Sequence, residues 1–250
     1  MEAARVAALR GHAVTLCEKS DKLGGNLQPA GAPEFKAEFL WLIDWFARQL
    51  NKLGVEVQLG KTVTQDEVAK LKPDVVIVAT GAESIIPDDI TGVDKGVTAI
   101  DVLLGKAKVG EKVIVAGGGL VGCDTVLHLA QKGKKVMIVE MLGDIAMDMD
   151  LVVNRKVFLD KLGEYEVEWV TGRRITEIDD KGVKAIDMTT GERVSYLADT
   201  VVLALGLKPV KGLAEAIKGK VPEVYEIGDC VKARKVKEAI YEGSIIARRI

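Results

Sequence analysis

Six residues, Gly117-Gly118-Gly119-Leu120-Val121-Gly122, follow the apolar run Lys112–Ala116 and open a helical pattern, and Glu140 lies 23 residues after the first of them. This spacing suits a nucleotide pyrophosphate. Gly117 permits a tight turn, Gly119 lets backbone approach a phosphate, and Gly122 lets a helix sit close to a strand. The first turn of that helix, with Leu120 and Val121, offers unpaired N–H groups and the positive end of its dipole. Glu140 ends the next strand, where a carboxylate can accept both hydroxyls of an adenosine ribose. A 2′-phosphate there would be repelled, and Met141 adds no positive charge. The chemistry expected is binding of NAD, as NADH rather than NADPH.

An internal repeat extends this reading. At a shift of 122, MEAARVAALRGHAVTLCE lies on CDTVLHLAQKGKKVMIVE, so that Ala8 meets Ala130, Gly11 meets Gly133, Val14 meets Val136 and Glu18 meets Glu140. At a shift of 125, DVVIVATG (74–81) lies on DTVVLALG (199–206), which pairs Gly81 with Gly206. Two copies of one unit imply two dinucleotide sites, with Glu18 on a second adenosine ribose. The usual pair is a nicotinamide and a flavin. Met1 falls on Cys123, so the chain begins beyond the place where the first copy's own glycine loop would stand. A fragment of a longer protein is expected, with an interrupted first sheet and weak retention of FAD.

The elements that must position these groups alternate between strand-like and helical patterns, which predicts parallel sheet with crossover helices. Strands are expected at Val14–Glu18, Val55–Leu59, Val75–Ala79, Lys112–Ala116 and Val136–Glu140. A long helix is expected over Glu34–Leu53, with Phe39, Leu42, Ile43, Phe46 and Leu50 apolar, and another over Gly119–Lys132. Between Glu164 and Leu205, turns at Asp179–Gly182 and Thr189–Glu192 suggest antiparallel hairpins before a last strand, Val201–Ala204. The tail reads as a strand ending at Ile227 and a helix from about Lys235. The fold class is α/β: two doubly wound parallel-sheet, Rossmann-like dinucleotide-binding domains, one inserted in the other. The expected limits are 1–106 with 216–250 for an FAD-type domain and 107–215 for an NAD-binding domain.

Composition sets the remaining bounds. With 35 basic and 37 acidic residues, the net charge of −2 offers nothing to nucleic acid or an anionic membrane surface. The apolar runs are strand-sized, and neither a membrane span nor a secretory signal is visible. Cys17, Cys123 and Cys230 lie more than 100 residues apart, form no C-x-x-C, and read as small core residues of a cytoplasmic protein. Neither they nor His12 and His128 suggest a metal site. Trp41 and Trp45 share one side of their helix and read as core, with a docking face as the alternative.

Six segments together resemble a known family: MEAARVAALRGHAVTLCEK, LGGNL (23–27), ATGA (79–82), GGGLVGCDTVLHLAQKGKKVMIVE, ALGLKP (204–209) and EIGDC (226–230). The chain resembles the pyridine nucleotide-disulfide reductase-like fold, and more closely the C-terminal, FAD/NAD-binding part of NADH:flavin oxidoreductases of the 2-enoate reductase and 2,4-dienoyl-CoA reductase type. The resemblance implies that Glu18, Gly25 and Asn26 serve FAD. It places Thr80 and Gly81 where the chain crosses between domains, and Asp229 on the ribityl chain with Gly228 allowing close approach. It sets Gly206 on the NAD side and Asp124, usually a glutamate, near where nicotinamide and flavin meet. In such enzymes a preceding barrel carries FMN and a 4Fe–4S cluster. The implied role is electron input, from NADH to FAD, towards reduction of a 2-enoate or enoyl thioester. Hydride transfer of this kind needs positioned rings and no side-chain general base, so no catalytic residue is assigned. A nucleotide-binding module without turnover and a free-standing NADH:acceptor diaphorase are the alternatives.

Overall fold

The computed structural model describes residues 1–149 and 152–250. The chain forms two compact units, one of residues 1–31, 37–83 and 207–250, the other of 32–36 and 84–206. In the first, the chain runs through α1 (Glu2–Leu9), β1 (Thr15–Cys17), α2 (Leu27–Ala30), α3 (Glu38–Lys52), β2 (Glu56–Gln58), α4 (Gln65–Leu71), β3 (Val75–Val78) and β4 (Ala82–Ser84). The second contains β5 (Val97–Thr98), α5 (Ala99–Leu103), β6 (Lys112–Ala116), α6 (Leu120–Gln131), β7 (Lys135–Val139), α7 (Val152–Glu164), β8 (Glu168–Val170), β9 (Arg173–Asp179), β10 (Gly182–Asp187), β11 (Arg193–Leu197) and β12 (Thr200–Leu203). The chain then returns to the first unit with β13 (Leu207–Pro209), α8 (Leu213–Ile217), β14 (Glu223–Glu226) and α9 (Val236–Arg249).

The second unit is built on a five-stranded parallel sheet in the order β5-β12-β6-β7-β8. Side chains alternate across β6, so Val113 and Val115 join α5 and α6 in one core. Ile114 and Ala116 face the other way, onto Ile175, Ile178, Val183 and Ala185 of the antiparallel β9-β10-β11 meander. A sheet covered on both faces explains why β6 and β12 are nearly continuous apolar runs. The two expected turns do join the meander strands. β8, however, lies in the parallel sheet and not in a hairpin, and α7 precedes it, a helix the sequence pattern did not disclose. The reason is visible in α7 itself: Val152, Val153 and Val157 are exposed, and only Leu162 is fully buried, so its apolar residues draw no single stripe.

In the first unit the parallel strands fall into two separate pairs, β1 with β2 and β3 with β14. Helices α1 and α9 pack through small residues, and a Cβ at Gly243 would stand 3.2 Å from the Ala3 nitrogen. The helix expected over Glu34–Leu53 starts late. Glu34–Lys36, after Pro33, is a 3-10 turn, and its Phe35 packs on the core of the second unit, to which 32–36 belongs. Within α3 the buried stripe is Ile43, Phe46 and Leu50. Trp41 and Trp45 each lie two residues from Ile43, about 200° round the helix, and they are 69% and 39% exposed. The core reading of this pair is therefore corrected. Cys123 and Cys230 are buried, while Cys17 is half-buried.

The sequence limits at 106 and 215 also differ from the division of the compact units. β5 hydrogen-bonds to β12, and that draws residues 84–106 into the second unit.

Helix α4 begins with a capping box: Thr64 Oγ1 accepts the Glu67 N–H while Glu67 accepts the Thr64 N–H. Thr64→Ala should lower stability by about 1 kcal/mol. Urea denaturation checks it, and an unchanged midpoint would show that the cap is redundant.

Candidate functional site

Strand β6 delivers the glycine loop to the amino end of α6. Gly117 has φ +106°, and a Cβ there would stand 2.5 Å from the Ala204 carbonyl oxygen. A Cβ on Gly122 would overlap the Gly117 carbonyl oxygen. Gly119 differs, because its added Cβ would meet only Asp148 Oδ2, at 3.5 Å. Gly117 and Gly122 are thus required by the backbone around them, a Cβ on Gly118 would press on the Ile145 side chain, and Gly119 alone of the four has room at the start of the helix. The Cys123 thiol donates to the Gly118 carbonyl (3.3 Å). Burial, and then Asp124, pushes this thiol up to about 12, so it stays protonated as a donor at neutral pH and is no nucleophile.

Glu140 follows β7 and is buried. Its Oε2 accepts the Gly118 N–H (2.5 Å) and its Oε1 the Leu142 N–H (2.7 Å). Each oxygen keeps a further lone pair, so the carboxylate is held by the glycine loop and can still accept two hydroxyls. Beside it Met141 and Leu142 are exposed. Nearby, Arg155 is paired with Asp144 (2.5 Å) and Arg173 with Asp187 (2.9 Å).

The sequence repeat is reproduced in the backbone. Gly11 and Gly133 both have positive φ, and Gly11 N donates to Ala8 O as Gly133 N does to Ala130 O. His12 N reaches Ala7 O, and Lys134 N reaches Leu129 O, each at 3.2 Å. Glu18 Oε1 accepts the Ser20 N–H (2.9 Å), just as Glu140 accepts that of Leu142. Ser20 also donates its hydroxyl to Glu18 (2.9 Å). Beyond each glutamate the next strand is followed, after one residue, by a glycine and a cation: Lys61 N donates to Glu18 O, and Arg173 N to Glu140 O. Neither this cation nor its role is visible in the sequence motif.

Asp124 is buried, and its Oδ2 is 2.5 Å from Lys36 Nζ. Its Oδ1 is buried without a hydrogen-bond partner. Burial holds the Asp124 carboxyl above the usual aspartate range, with Lys36 acting against it. Sequence reasoning missed Lys36, and no local signal could have found it, since 88 residues separate the partners.

In the first unit, several of the residues expected to serve FAD gather at the carboxyl ends of β3 and β14. Asn26 Nδ2 donates to Ala82 O (2.9 Å), Thr80 Oγ1 donates to Val210 O (2.7 Å), and Val210 N donates to Gly81 O. Ile227 N donates to Val78 O, which sets Gly228 and Asp229 beside the same strand end. Asp229 accepts the Arg234 N–H (3.0 Å), and Gly228 N donates to Glu242 (2.7 Å). Gly25, Gly81 and Gly228 all have positive φ, as has Gly206 in the second unit. Glu18 lies at the end of the other strand pair. Glu242 and Arg234 were not anticipated. Among the described residues, no group of three or more His, Cys, Asp or Glu could hold a metal ion, and no helix is long and apolar enough to cross a membrane.

Comparison with known proteins matches residues 1–243 to the family model of pyridine nucleotide-disulphide oxidoreductases. The whole chain is 41% identical to an NADH oxidase of Thermoanaerobacter brockii and 38% identical to a cinnamate reductase of Clostridium sporogenes. It spans only 39% and 37% of those two proteins. Among solved structures, a 2-naphthoyl-CoA reductase in complex with 2-naphthoyl-CoA aligns over the whole chain at 34% identity with a TM-score of 0.93, and the match covers 38% of that protein. The thioredoxin reductase of T. acidophilum, at 20% identity and a TM-score of 0.72, shares the fold.

Proposed function

Because this chain belongs to the pyridine nucleotide-disulphide oxidoreductase family, we propose that it is the electron-input part of a flavin-dependent reductase. It takes hydride from NADH on the way to an activated C=C bond of a 2-enoate or enoyl thioester. The observation that carries the nucleotide assignment is the Glu140 carboxylate locked onto the glycine loop by Gly118, at the amino end of α6. The substrate class draws support from relatives named cinnamate reductase and 2-naphthoyl-CoA reductase. Since the chain spans less than two fifths of each, the remainder of such a protein, with its FMN and 4Fe–4S barrel, is part of the proposal. So is a cytoplasmic setting, where NADH is supplied.

In this reading the α6 N–H groups neutralise the pyrophosphate and Glu140 takes both ribose hydroxyls. Asp124 Oδ1, an acceptor without a partner, receives a hydrogen bond from the nicotinamide carboxamide. Lys36 holds that carboxylate in place. In the first unit Glu18 repeats the contact of Glu140 with the backbone two residues on and suits a second adenosine ribose. Asn26, Thr80, Gly81, Gly228 and Asp229 are gathered suitably for the remainder of an FAD. When bound there, FAD would supply two-electron acceptance, which no side chain of the protein provides.

NADH should bind the purified protein about tenfold to a hundredfold more tightly than NADPH, since the charged hydrogen bonds at stake are worth roughly 1.5–3 kcal/mol. Glu140→Ala should weaken NADH and narrow that gap. Titration of both nucleotides tests it, and equal affinities in the unsubstituted protein would remove Glu140 from the ribose.

A further inference from the structure

Arg173 stands next to the residue read as the ribose acceptor. Its backbone N–H donates to the Glu140 carbonyl (2.9 Å), and the preceding Gly172 donates to Leu142 O. The guanidinium folds back over this loop: Nη1 donates to the carbonyls of Thr171 (3.1 Å) and Gly172 (3.3 Å). Nη2 meets Asp187 Oδ2 at 2.9 Å, and Nε is buried with no acceptor. Asp187 lies directly opposite Arg173 in the β9–β10 register and is itself fixed, its Oδ1 accepting the N–H groups of Thr189 and Thr190. These N–H groups, and then Arg173, hold the Asp187 carboxyl below the usual aspartate range, so it is charged at neutral pH. The first unit carries a cation at the corresponding place, paired there with a helix residue. Lys61 donates its N–H to Glu18 O and is ion-paired with Glu67.

A guanidinium beside a ribose 2′-position is the side chain that recognises a 2′-phosphate, through a planar fork of N–H donors. Here one arm of that fork is engaged by a neighbouring carboxylate and the other by the carbonyls of Thr171 and Gly172. We propose that Asp187 is a specificity-determining residue: by holding Arg173 in a cross-strand ion pair, it withholds a cation that could accept NADPH beside Glu140. The inference rests on the assignment of the glycine loop to NADH. Selectivity against the phosphorylated nucleotide then has two parts, repulsion by Glu140 and sequestration of Arg173.

The test is Asp187→Asn, which keeps an oxygen for Thr189 and Thr190 and removes the charge. Affinities for NADH and NADPH are measured by titration. NADPH should bind about three- to tenfold more tightly than to the unsubstituted protein, while NADH stays within about twofold. The gain should shrink in high salt and vanish in Arg173→Gln/Asp187→Asn. Glu140→Gln/Asp187→Asn should bind NADPH better than either single variant. An Asp187→Asn change that leaves NADPH affinity unaltered, alone and on top of Glu140→Gln, would overturn the proposal, as would a gain that survives loss of Arg173. Parallel weakening of both nucleotides would also overturn it, because it would make the pair merely structural. Failure of the unsubstituted protein to bind NADH would instead strike the reading on which the proposal rests.

Discussion

Gly122→Ala is expected to abolish measurable NADH binding, a loss of at least about a hundredfold, or ~3 kcal/mol. The added methyl would overlap the Gly117 carbonyl oxygen and come within 3.3 Å of the Ala204 Cβ. Both are fixed: β6 is hydrogen-bonded to β7 and β12, and the Gly117 N–H donates to Val139 O. The helix must therefore move away from the strand, and its first N–H groups leave the line they hold towards a pyrophosphate. Gly118 would also lose its alignment with Glu140. Gly119→Ala is the informative companion. Its Cβ meets only Asp148 at ordinary contact distance, so the protein should fold as before. NADH binding should still fall, because the methyl occupies the space in front of α6. Isothermal titration with thermal melts distinguishes the two cases. Full NADH affinity in G122A would show that the loop does not hold the nucleotide.

Lys36→Met should cost stability in a pH-dependent way. It leaves the Asp124 carboxylate buried with neither oxygen partnered, and breaking one side of a buried pair costs about 3–5 kcal/mol. Lys36 is partly exposed, so the lower end of that range, roughly 3 kcal/mol, is expected at pH 8. The sign with pH follows from the folded protein. Burial already holds Asp124 above its unfolded value, and removal of Lys36 raises it further. A carboxyl raised in the folded state stabilises when protonated, and that contribution is lost as pH rises through the folded pKa. The deficit of K36M relative to the unsubstituted protein should therefore shrink as pH falls towards 4. Lys36→Met/Asp124→Leu should recover most of the loss at every pH. Denaturant unfolding at pH 5 and pH 8 measures this, and a pH-independent deficit would mean that Asp124 is not the group left unpaired.

Much was legible in the residues because the determining contacts are local. The strand–loop–helix at 112–131 follows from apolar runs and from glycines whose neighbours are within a few positions. The repeat between 1–18 and 123–140 predicted two copies of one unit, and the backbone hydrogen bonds at Gly11 and Gly133 repeat at the same shift. Family membership was readable from the same segments. By contrast, partners far apart in sequence left no pattern. Lys36 and Asp124 meet only because Ala32–Lys36 packs with the second unit, and Arg173 reaches Asp187 only through the β9–β10 register. The exposure of Trp41 and Trp45 likewise depends on which stripe of α3 faces a core, and the type of residue does not decide that. Sequence alone thus determined most of the parallel strands and the glycine motif, whose energies come from near neighbours and hydrophobic periodicity, but not α7 or the place of β8. The tertiary structure decided the charges, since an ion pair depends on distance in space and not along the chain.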